Sequence, residues 1–271
     1  DEHGNSVKQT NDGGYIITGY TESFGMGDLD VYLIKTNEYG NEQWSQTFGG
    51  TDSDRGYSVQ QTNDGGYIIT GYTQSFYNSI DYVYLIKTNQ NGVEQWSQIF
   101  EGMGHSFGRH VEQTNDGGYI ITGHTRIDFF NSSDVYLLKT DGNGVEQWSQ
   151  TFGGTDFDRG YSVQQTNDGG YIITGYTNSF EDDDRDVYLI KTDGNGNEQW
   201  SKMLGGTGMD QGYSIEQTSD GGYIITGSKS IEKDGEYNTH DVLLIKTDTN
   251  GNEQWSQLFG GYGYDDGRSV Q

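Results

Sequence analysis

The chain has no cysteine, no proline and no alanine. The missing cysteine excludes disulfides and thiolate metal sites. The missing alanine, together with 43 glycines among 271 residues, leaves little material for helices, because glycine is unfavourable inside them. No apolar run exceeds a few residues, so the sequence predicts neither a membrane-spanning helix nor a signal peptide. What remains is a chain suited to strands and turns.

Positive charge is also scarce. Fifteen Lys and Arg residues face 41 Asp and Glu residues, which gives a formal net charge of -26. Nucleic-acid binding depends on basic side chains that neutralise phosphates, so the composition predicts no nucleic-acid partner. An anionic membrane surface is disfavoured for the same reason. Cations, neutral glycans and basic proteins stay open as partners.

The abundant feature is repetition. The segment QTNDGGYIITG begins at Gln9, Gln61, Gln113 and Gln165 and returns as QTSDGGYIITG at Gln217, with a spacing of 52 residues each time. The tryptophans keep the same interval at Trp44, Trp96, Trp148 and Trp200, and Trp255 follows after three extra residues. A period of this length with several short strands per unit is typical of propeller blades.

One repeat predicts four strands, at residues 58–62, 67–72, 82–88 and 93–100. Tight turns join the first two and the last two, whereas a longer connection follows the second strand. The third strand is apolar on both faces, so both sides of the sheet must be covered. We therefore predict an all-β fold: a closed five-bladed β-propeller with four antiparallel strands per blade, its tryptophans packed between blades.

The predicted organisation is a single propeller domain over residues 1–271. Its repeats are approximately 1–52, 53–104, 105–156, 157–208 and 209–263, and residues 264–271 begin a sixth. That last segment either supplies a closing strand in place of the N-terminal one or continues a longer array. The lysines that end the third strands are predicted to be solvated or to bridge blades; they are Lys35, Lys87, Lys139, Lys191 and Lys246.

The junction WSQTFGGTDSDRGYSV at 44–59, followed by DGGYIITGYT at 64–73, resembles the bacterial and archaeal SBBP propeller repeat, with a strand order similar to NHL-type propellers. The likeness recurs in all five repeats, although Gly-Gly replaces the more common Gly-Asn. It implies a secreted or cell-surface protein without enzymatic activity. It also implies that first strands line a central channel and that the two longer connections share one face.

These longer connections differ between repeats while the tight turns barely change. Loops on a rigid scaffold often carry binding, so their aromatic residues are candidate ligand contacts for a glycan, a protein or a cell-surface component. The alternative is that they fill gaps between blades. The candidates are Phe24, Phe76, Tyr77, Phe129, Phe130, Phe180 and Tyr237.

Acidic residues before the first strands form a second candidate site. Their Asp-x-Asp-x-Gly spacing is similar to the opening of a calcium loop, because carboxylate oxygens are the ligands that calcium prefers. Hydrogen-bonded loop caps would use the same carboxylates, so calcium is a possible cofactor only. The candidate ligands are Asp52, Asp54, Asp156, Asp158 and Asp210.

The third repeat is the only one with an unusual set of titratable residues: His105, His110, His124, Arg126 and Asp128. They suggest either a metal or acid–base site or ordinary surface substitutions. Fivefold repetition otherwise offers rings of like residues, whereas catalysis needs unlike groups that converge. The predicted function is thus a non-enzymatic extracellular recognition, adhesion or scaffolding module, and the alternative is a glycan-active hydrolase-like propeller with a site at the channel mouth.

Overall fold

The computed structural model describes residues 1–76, 80–126, 132–180, 185–233, 236–261 and 263–271, with the side chains of 232–233 and 236–238 left out. All regular structure in these ranges is β. None of the described residues forms a helix that could cross a membrane. The strands are β1 (Glu2–Gln9), β2 (Tyr15–Thr21), β3 (Asp30–Thr36), β4 (Glu42–Phe48), β5 (Asp54–Gln61), β6 (Tyr67–Thr73), β7 (Tyr82–Thr88), β8 (Glu94–Phe100), β9 (His105–Gln113), β10 (Tyr119–Arg126), β11 (Asp134–Thr140), β12 (Glu146–Phe152), β13 (Asp158–Gln165), β14 (Tyr171–Thr177), β15 (Asp186–Thr192), β16 (Glu198–Leu204), β17 (Asp210–Gln217), β18 (Tyr223–Lys233), β19 (Glu236–Thr247) and β20 (Glu253–Phe259).

The strands form five four-stranded sheets, one per repeat, in chain order. The pairings within them are antiparallel. The two middle strands of the second sheet are buried along their whole length, on both faces, as the apolar third strand predicts. The all-β class and the four strands per repeat are therefore confirmed.

By contacts, the chain divides into two compact units. One comprises Asp1–Phe130 with Leu138–Gln147, and the other comprises Asn131–Leu137 with Trp148–Gln271. Both have the same kind of core, built from Val, Ile, Leu and Tyr side chains that alternate along the strands. The single-domain organisation stays a prediction.

A tryptophan joins consecutive sheets within each unit. The Trp44 ring lies 5.8 Å from the ring of Tyr67 in the next sheet, and Tyr67 is only 2% exposed. The indole also covers Gly92, where a Cβ would come within 2.5 Å of it. The prediction that tryptophans pack between sheets is thus confirmed at this junction. The same arrangement recurs for Trp96, Trp148 and Trp200, whereas Trp255 is 43% exposed.

The C-terminal tail takes the place that a first strand takes elsewhere. The Val270 amide donates to Ser214 Oγ at 3.2 Å, as the Val111 amide does to Ser58 Oγ at 3.4 Å. The Asp265 amide likewise donates to a carbonyl of the preceding sheet, that of His240, at 2.7 Å. Residues after the fifth sheet therefore pack on it as the start of a further repeat would.

First strands begin earlier than the sequence pattern predicts, at Asp54 instead of residue 58. The reason is a β-bulge between Gly56 and Ser58, which leaves Tyr57 without a partner on β6. A bulge adds one residue, so the alternation of inward and outward side chains is interrupted. The predicted second, third and fourth strands agree with the structure to within one residue.

Candidate functional site

The two ends of each sheet differ in chemistry. We call the end with the tight turns, after first and third strands, the turn end. We call the opposite end, with the connections that follow second and fourth strands, the loop end. Turns at the turn end need glycine, as at Gly65 with φ of 83°, a conformation that residues with a Cβ rarely adopt. This constraint accounts for the near-identity of the tight turns among repeats.

At the turn end a lysine is enclosed by acceptors of its own sheet. Lys87 Nζ lies 2.8 Å from Asp64 Oδ2, and it also donates to Gln95 Oε1 and the Thr88 carbonyl. The Lys87 side chain is 4% exposed. The interpretation of these lysines as solvated or blade-bridging is therefore wrong, because each ties the first tight turn to the third and fourth strands of one sheet. The equivalent ion pairs are Lys35–Asp12, Lys139–Asp116, Lys191–Asp168 and Lys246–Asp220.

The aspartates of these pairs have lower pKa values in the folded protein than a free aspartate has. Burial alone would raise the pKa of Asp64, but hydrogen bonds from Lys87 and Thr62 outweigh it and lower the pKa to about 2. The pKa of Asp12 also falls to about 2, mainly because Thr10 and Lys35 donate to its carboxylate. The turn end is consequently a region of satisfied charges.

At the loop end, the carboxylates of Asp54 and Asp158 are buried without a cation. Asp54 is fully buried, and its Oδ2 accepts from Ser75 Oγ at 2.6 Å and the Gly50 amide at 2.8 Å. Its Oδ1 has no hydrogen-bond partner among the described residues. Burial raises the pKa of Asp54, and the neighbouring carboxylate of Asp30 adds to this shift. Asp158 repeats the arrangement with Ser179 and Gly154.

The predicted calcium residues are thus split between two environments. Asp52 and Asp156 are exposed on the connections, whereas Asp54, Asp158 and Asp210 are buried at strand starts. Asp210 is paired with Lys229 at 2.7 Å. In the described ranges no group of three or more His, Asp or Glu side chains could hold a metal ion. The hydrogen bonds of Asp54 and Asp158 are those of loop caps, and calcium binding stays a prediction.

Three of the predicted aromatic contacts occupy equivalent positions after a second strand. Phe24, Phe76 and Phe180 are 58%, 47% and 41% exposed. Each ring rests near a tyrosine of the third strand, with centroids separated by 5.8 to 6.1 Å. The pairs are Phe24–Tyr32, Phe76–Tyr84 and Phe180–Tyr188. Tyr77, Phe129, Phe130 and the side chain of Tyr237 lie outside the described residues.

The unusual residues of the third repeat are packed inside the structure. His105 is buried, with Nδ1 2.7 Å from Asp81 Oδ2. His124 is 2% exposed and stacks on Phe107, with ring centroids 4.7 Å apart. The interpretation of these two histidines as ordinary surface substitutions is therefore wrong. His110 and Arg126 are half-buried on neighbouring strands, and Asp128 lies outside the described residues.

The arginines share a local environment that the sequence pattern did not reveal. All six arginines of the chain lie over an aromatic ring. Within the first unit the pairs are Arg55 over Tyr20, Arg109 over Tyr57 and Arg126 over Phe107, at 4.5, 4.2 and 5.3 Å. Within the second they are Arg159 over Tyr176, Arg185 over Tyr176 and Arg268 over Tyr213, at 5.8, 4.2 and 4.2 Å. The signal available in the sequence was that every arginine stands near a first strand or the loop end, whereas the recurrent lysines stand at the turn end.

Among known proteins, sequence similarity is slight. No protein-family model matches the chain, so the resemblance to the SBBP repeat remains a prediction. Over 145 residues, 47% of this chain, the sequence is 28% identical to the regulatory protein FlaEY of Caulobacter vibrioides. The match covers 15% of the length of that protein.

The similarity to solved structures extends over more of the chain. A protein of unknown function from Bacteroides caccae superposes with a TM-score of 0.59 and 14% identity, covering 98% of this chain and 86% of the other. The Pan2 WD40 domain of Neurospora crassa gives 0.54 and 11%, covering 95% and 66%. A thermostable family-43 glycoside hydrolase gives 0.51 and 11%, covering 95% and 94%. At these identities the likeness concerns the fold alone: with its five four-stranded sheets, this chain is a five-bladed β-propeller.

Proposed function

We propose that the chain is a non-enzymatic recognition module, secreted or held at the cell surface, that binds its partner through the loop end. The supporting observation is the set of exposed phenylalanines Phe24, Phe76 and Phe180, repeated on three sheets. Covering an exposed aromatic ring is favourable because it removes apolar surface from water. A tyrosine beneath each ring limits its freedom, so little conformational entropy is lost when a partner binds.

The proposed partner is a glycan, with a protein of the cell surface as the alternative. Flat aromatic faces suit the apolar face of a sugar ring, and repetition of one platform suits a ligand that itself repeats. Within the first unit, binding at both Phe24 and Phe76 would add avidity without strong single contacts. The net charge of -26 favours neutral glycans over polyanionic ones.

The test is a glycan array probed with the wild type, a Phe24→Ala/Phe76→Ala/Phe180→Ala variant and a Tyr39→Ala control. Tyr39 is 79% exposed at the turn end, so the control removes an exposed ring from the other end. We expect the triple variant to lose binding at least tenfold and the control to keep it. Equal binding by all three proteins would refute the loop-end proposal.

The same experiment tests whether the protein binds calcium. Arrays and thermal unfolding are run with and without millimolar calcium. If the carboxylates of Asp52 and Asp54 hold calcium, the ion raises the unfolding midpoint and an Asp54→Asn variant loses that rise. An unchanged midpoint in the wild type removes calcium as a cofactor.

The alternative of a glycan-active hydrolase is tested separately. Chromogenic glycosides are incubated with the wild type and with Asp54→Asn and Asp158→Asn variants, which alter the buried carboxylates of the loop end. The proposal expects no turnover above buffer. Turnover by the wild type that either variant abolishes would replace the recognition proposal by an enzymatic one.

A further inference from the structure

The bulges of the first strands present one side chain per strand outside the regular pairing. In β5 the extra residue is Tyr57, and in β9 it is Arg109, which stands between the paired residues Gly108 and His110. Bulges turn a side chain away from its regular direction and are frequent beside functional sites. In the first unit the two bulged residues contact each other, because the guanidinium of Arg109 lies 4.2 Å from the centre of the Tyr57 ring.

A second arginine shares this cluster of rings. Arg55 lies 4.5 Å from the centre of the Tyr20 ring and 6.0 Å from that of Tyr72. Tyr72 in turn lies 6.0 Å from Tyr57. The two guanidinium groups are thus held over neighbouring rings of one cluster, with their planes oriented by cation–π contacts.

Neither arginine has an acidic partner. In the part of the chain that the structure describes, the side chains of Arg55 and Arg109 make no ion pair or hydrogen bond, and the Nε atom of each is buried without an acceptor. A charged donor that has lost water without gaining an acceptor is costly. In a chain with 41 acidic residues, two arginines of one unit without an acidic partner need a physical explanation.

Arg268 and the turn-end lysines differ from these two arginines because they have acceptors. Arg268 donates to Asp266 Oδ2 at 2.7 Å, and the turn-end lysines are enclosed by acceptors. Arg55 and Arg109 are half-buried, so part of each residue is open to solvent. No acceptor among the described residues occupies either side chain.

We propose that Arg55, Arg109 and Tyr57 form a binding site for a small carboxylate-bearing ligand. A guanidinium offers two parallel N–H groups that match the two oxygens of a carboxylate. The surrounding tyrosine rings provide apolar faces for the rest of the ligand. The ligand is small because the overall negative charge repels a polyanion before it reaches the strands. This site is separate from the loop-end phenylalanines and does not depend on them.

The second unit has a weaker version of the site. Its bulged residues are Tyr161 and Tyr213, whose rings lie 5.5 Å apart. The arginine of this weaker version is Arg159, whose Nε has no acceptor among the described residues; Arg268 is not part of it, because Asp266 already occupies its guanidinium. We therefore expect the first unit to bind more tightly.

The experiment is isothermal titration at low ionic strength with sodium glucuronate, with sodium acetate, sodium sulfate and glucose as comparison solutes. The proteins are the wild type, Arg109→Gln, Arg109→Lys and the control Arg268→Gln, which removes the same charge from a paired arginine. We expect saturable glucuronate binding that weakens at least tenfold in Arg109→Gln, partly recovers in Arg109→Lys and is unchanged in Arg268→Gln. Acetate should compete, whereas glucose should not.

Several outcomes would overturn the proposal. They are an absence of saturable glucuronate binding to the wild type, equal weakening by Arg109→Gln and Arg268→Gln, and sulfate binding as tight as that of glucuronate. Thermal unfolding of each variant shows whether the fold is intact. If Arg109→Gln is unfolded, Arg55→Gln takes its place with the same expected loss. The Phe24→Ala/Phe76→Ala/Phe180→Ala variant should bind glucuronate normally, which separates this site from the proposed glycan platforms.

Discussion

The turn end and the loop end of each sheet are built from similar residue types, but their charged side chains differ in whether they have a partner of opposite charge. At the turn end Lys87 and Asp64 neutralise each other, and the pKa of Asp64 falls to about 2. At the loop end Asp54 is buried without a cation, and its pKa is raised. Nearby, Arg55 has no acidic partner among the described residues.

We interpret this difference as a division between the end that stabilises each sheet and the end at which we propose binding. The turn end carries the satisfied charges and the tryptophan contacts, and its sequence hardly varies between repeats. The loop end retains unsatisfied donors and acceptors together with exposed rings, which cost stability in isolation. Such features persist where a ligand or partner can satisfy them. Four predictions test the contrast.

The largest effect is expected at the inter-sheet tryptophans. Trp148→Ala should lower the free energy of unfolding by about 3–5 kcal/mol, because it empties the space against Tyr171 and Gly196. Trp255→Ala removes an indole that is 43% exposed and should cost below about 1 kcal/mol. Chemical denaturation of both variants measures the difference. Equal losses would mean that the tryptophans do not stabilise the sheets through these contacts.

Glycine substitutions in the second tight turn should show the next largest effect. Gly92 has φ of 76°, and a Cβ there would lie 2.5 Å from the Trp44 ring. Gly40 has φ of 79° with nothing within 4 Å. Gly40→Ala should therefore lower the free energy of unfolding by about 1–2 kcal/mol, which is the cost of the backbone conformation alone. Gly92→Ala should lower it by about 1–3 kcal/mol more, because the added Cβ also displaces the indole. Similar midpoints for the two variants would show that the indole moves aside without cost.

The two ends should respond to pH in opposite directions. Asp12, Asp64, Asp116, Asp168 and Asp220 have pKa values lowered from 3.8 to about 2, so the stability they contribute is present above pH 3.8 and is lost as pH falls towards 2. Asp54, Asp134 and Asp158 have raised pKa values. The folded state binds their protons more tightly, so their contribution improves as pH falls through those values and declines as pH rises.

Stability should accordingly rise from neutral to mildly acidic pH and then fall steeply below pH 3.8. Unfolding midpoints measured across this range check the profile. An Asp54→Asn variant should be more stable than the wild type at pH 7 and should lose that advantage in acid. If Asp54→Asn is less stable at neutral pH, the hydrogen bonds to Ser75 and Gly50 outweigh the cost of burying the charge.

The smallest effect is expected at the loop-end phenylalanines. Phe180 is 41% exposed and contacts mainly Tyr188, so Phe180→Ala should change the free energy of unfolding by about 0.5 kcal/mol or less. Thermal unfolding is the measurement. A loss of several kcal/mol would assign these rings to the core and remove the basis of the proposed recognition site.

Local sequence signals predicted much of this arrangement. Gly65 and Gly92 predict the tight turns because only glycine tolerates their backbone angles at low cost. The apolar run of β7 predicted a strand buried on both faces, and Trp44 predicted contacts between sheets. The exposed Phe24 and Phe76 were predicted as candidate contacts from the variation of their connections alone.

Other features depend on contacts between distant residues. The start of β5 at Asp54 was missed because the bulge at Tyr57 interrupts the alternation that predicts strands. Lys87 was predicted to be solvated or to bridge blades because its sequence neighbours do not include Asp64, 23 residues earlier. The burial of His105 and His124 was missed because the sequence does not show which side chains of a repeat are covered. His105 contacts Asp81 of the preceding repeat, and His124 stacks on Phe107 of its own sheet.

The repeating sequence by itself determined the fold class, the four strands per blade and the tight turns, since these depend on backbone angles and on alternation over a few residues. Only the tertiary structure decided which charges meet. Coulomb and hydrogen-bond energies depend on distances between groups that the chain separates by 20 to 50 residues, so Lys87 gained a carboxylate while Arg55 and Arg109 gained aromatic rings alone.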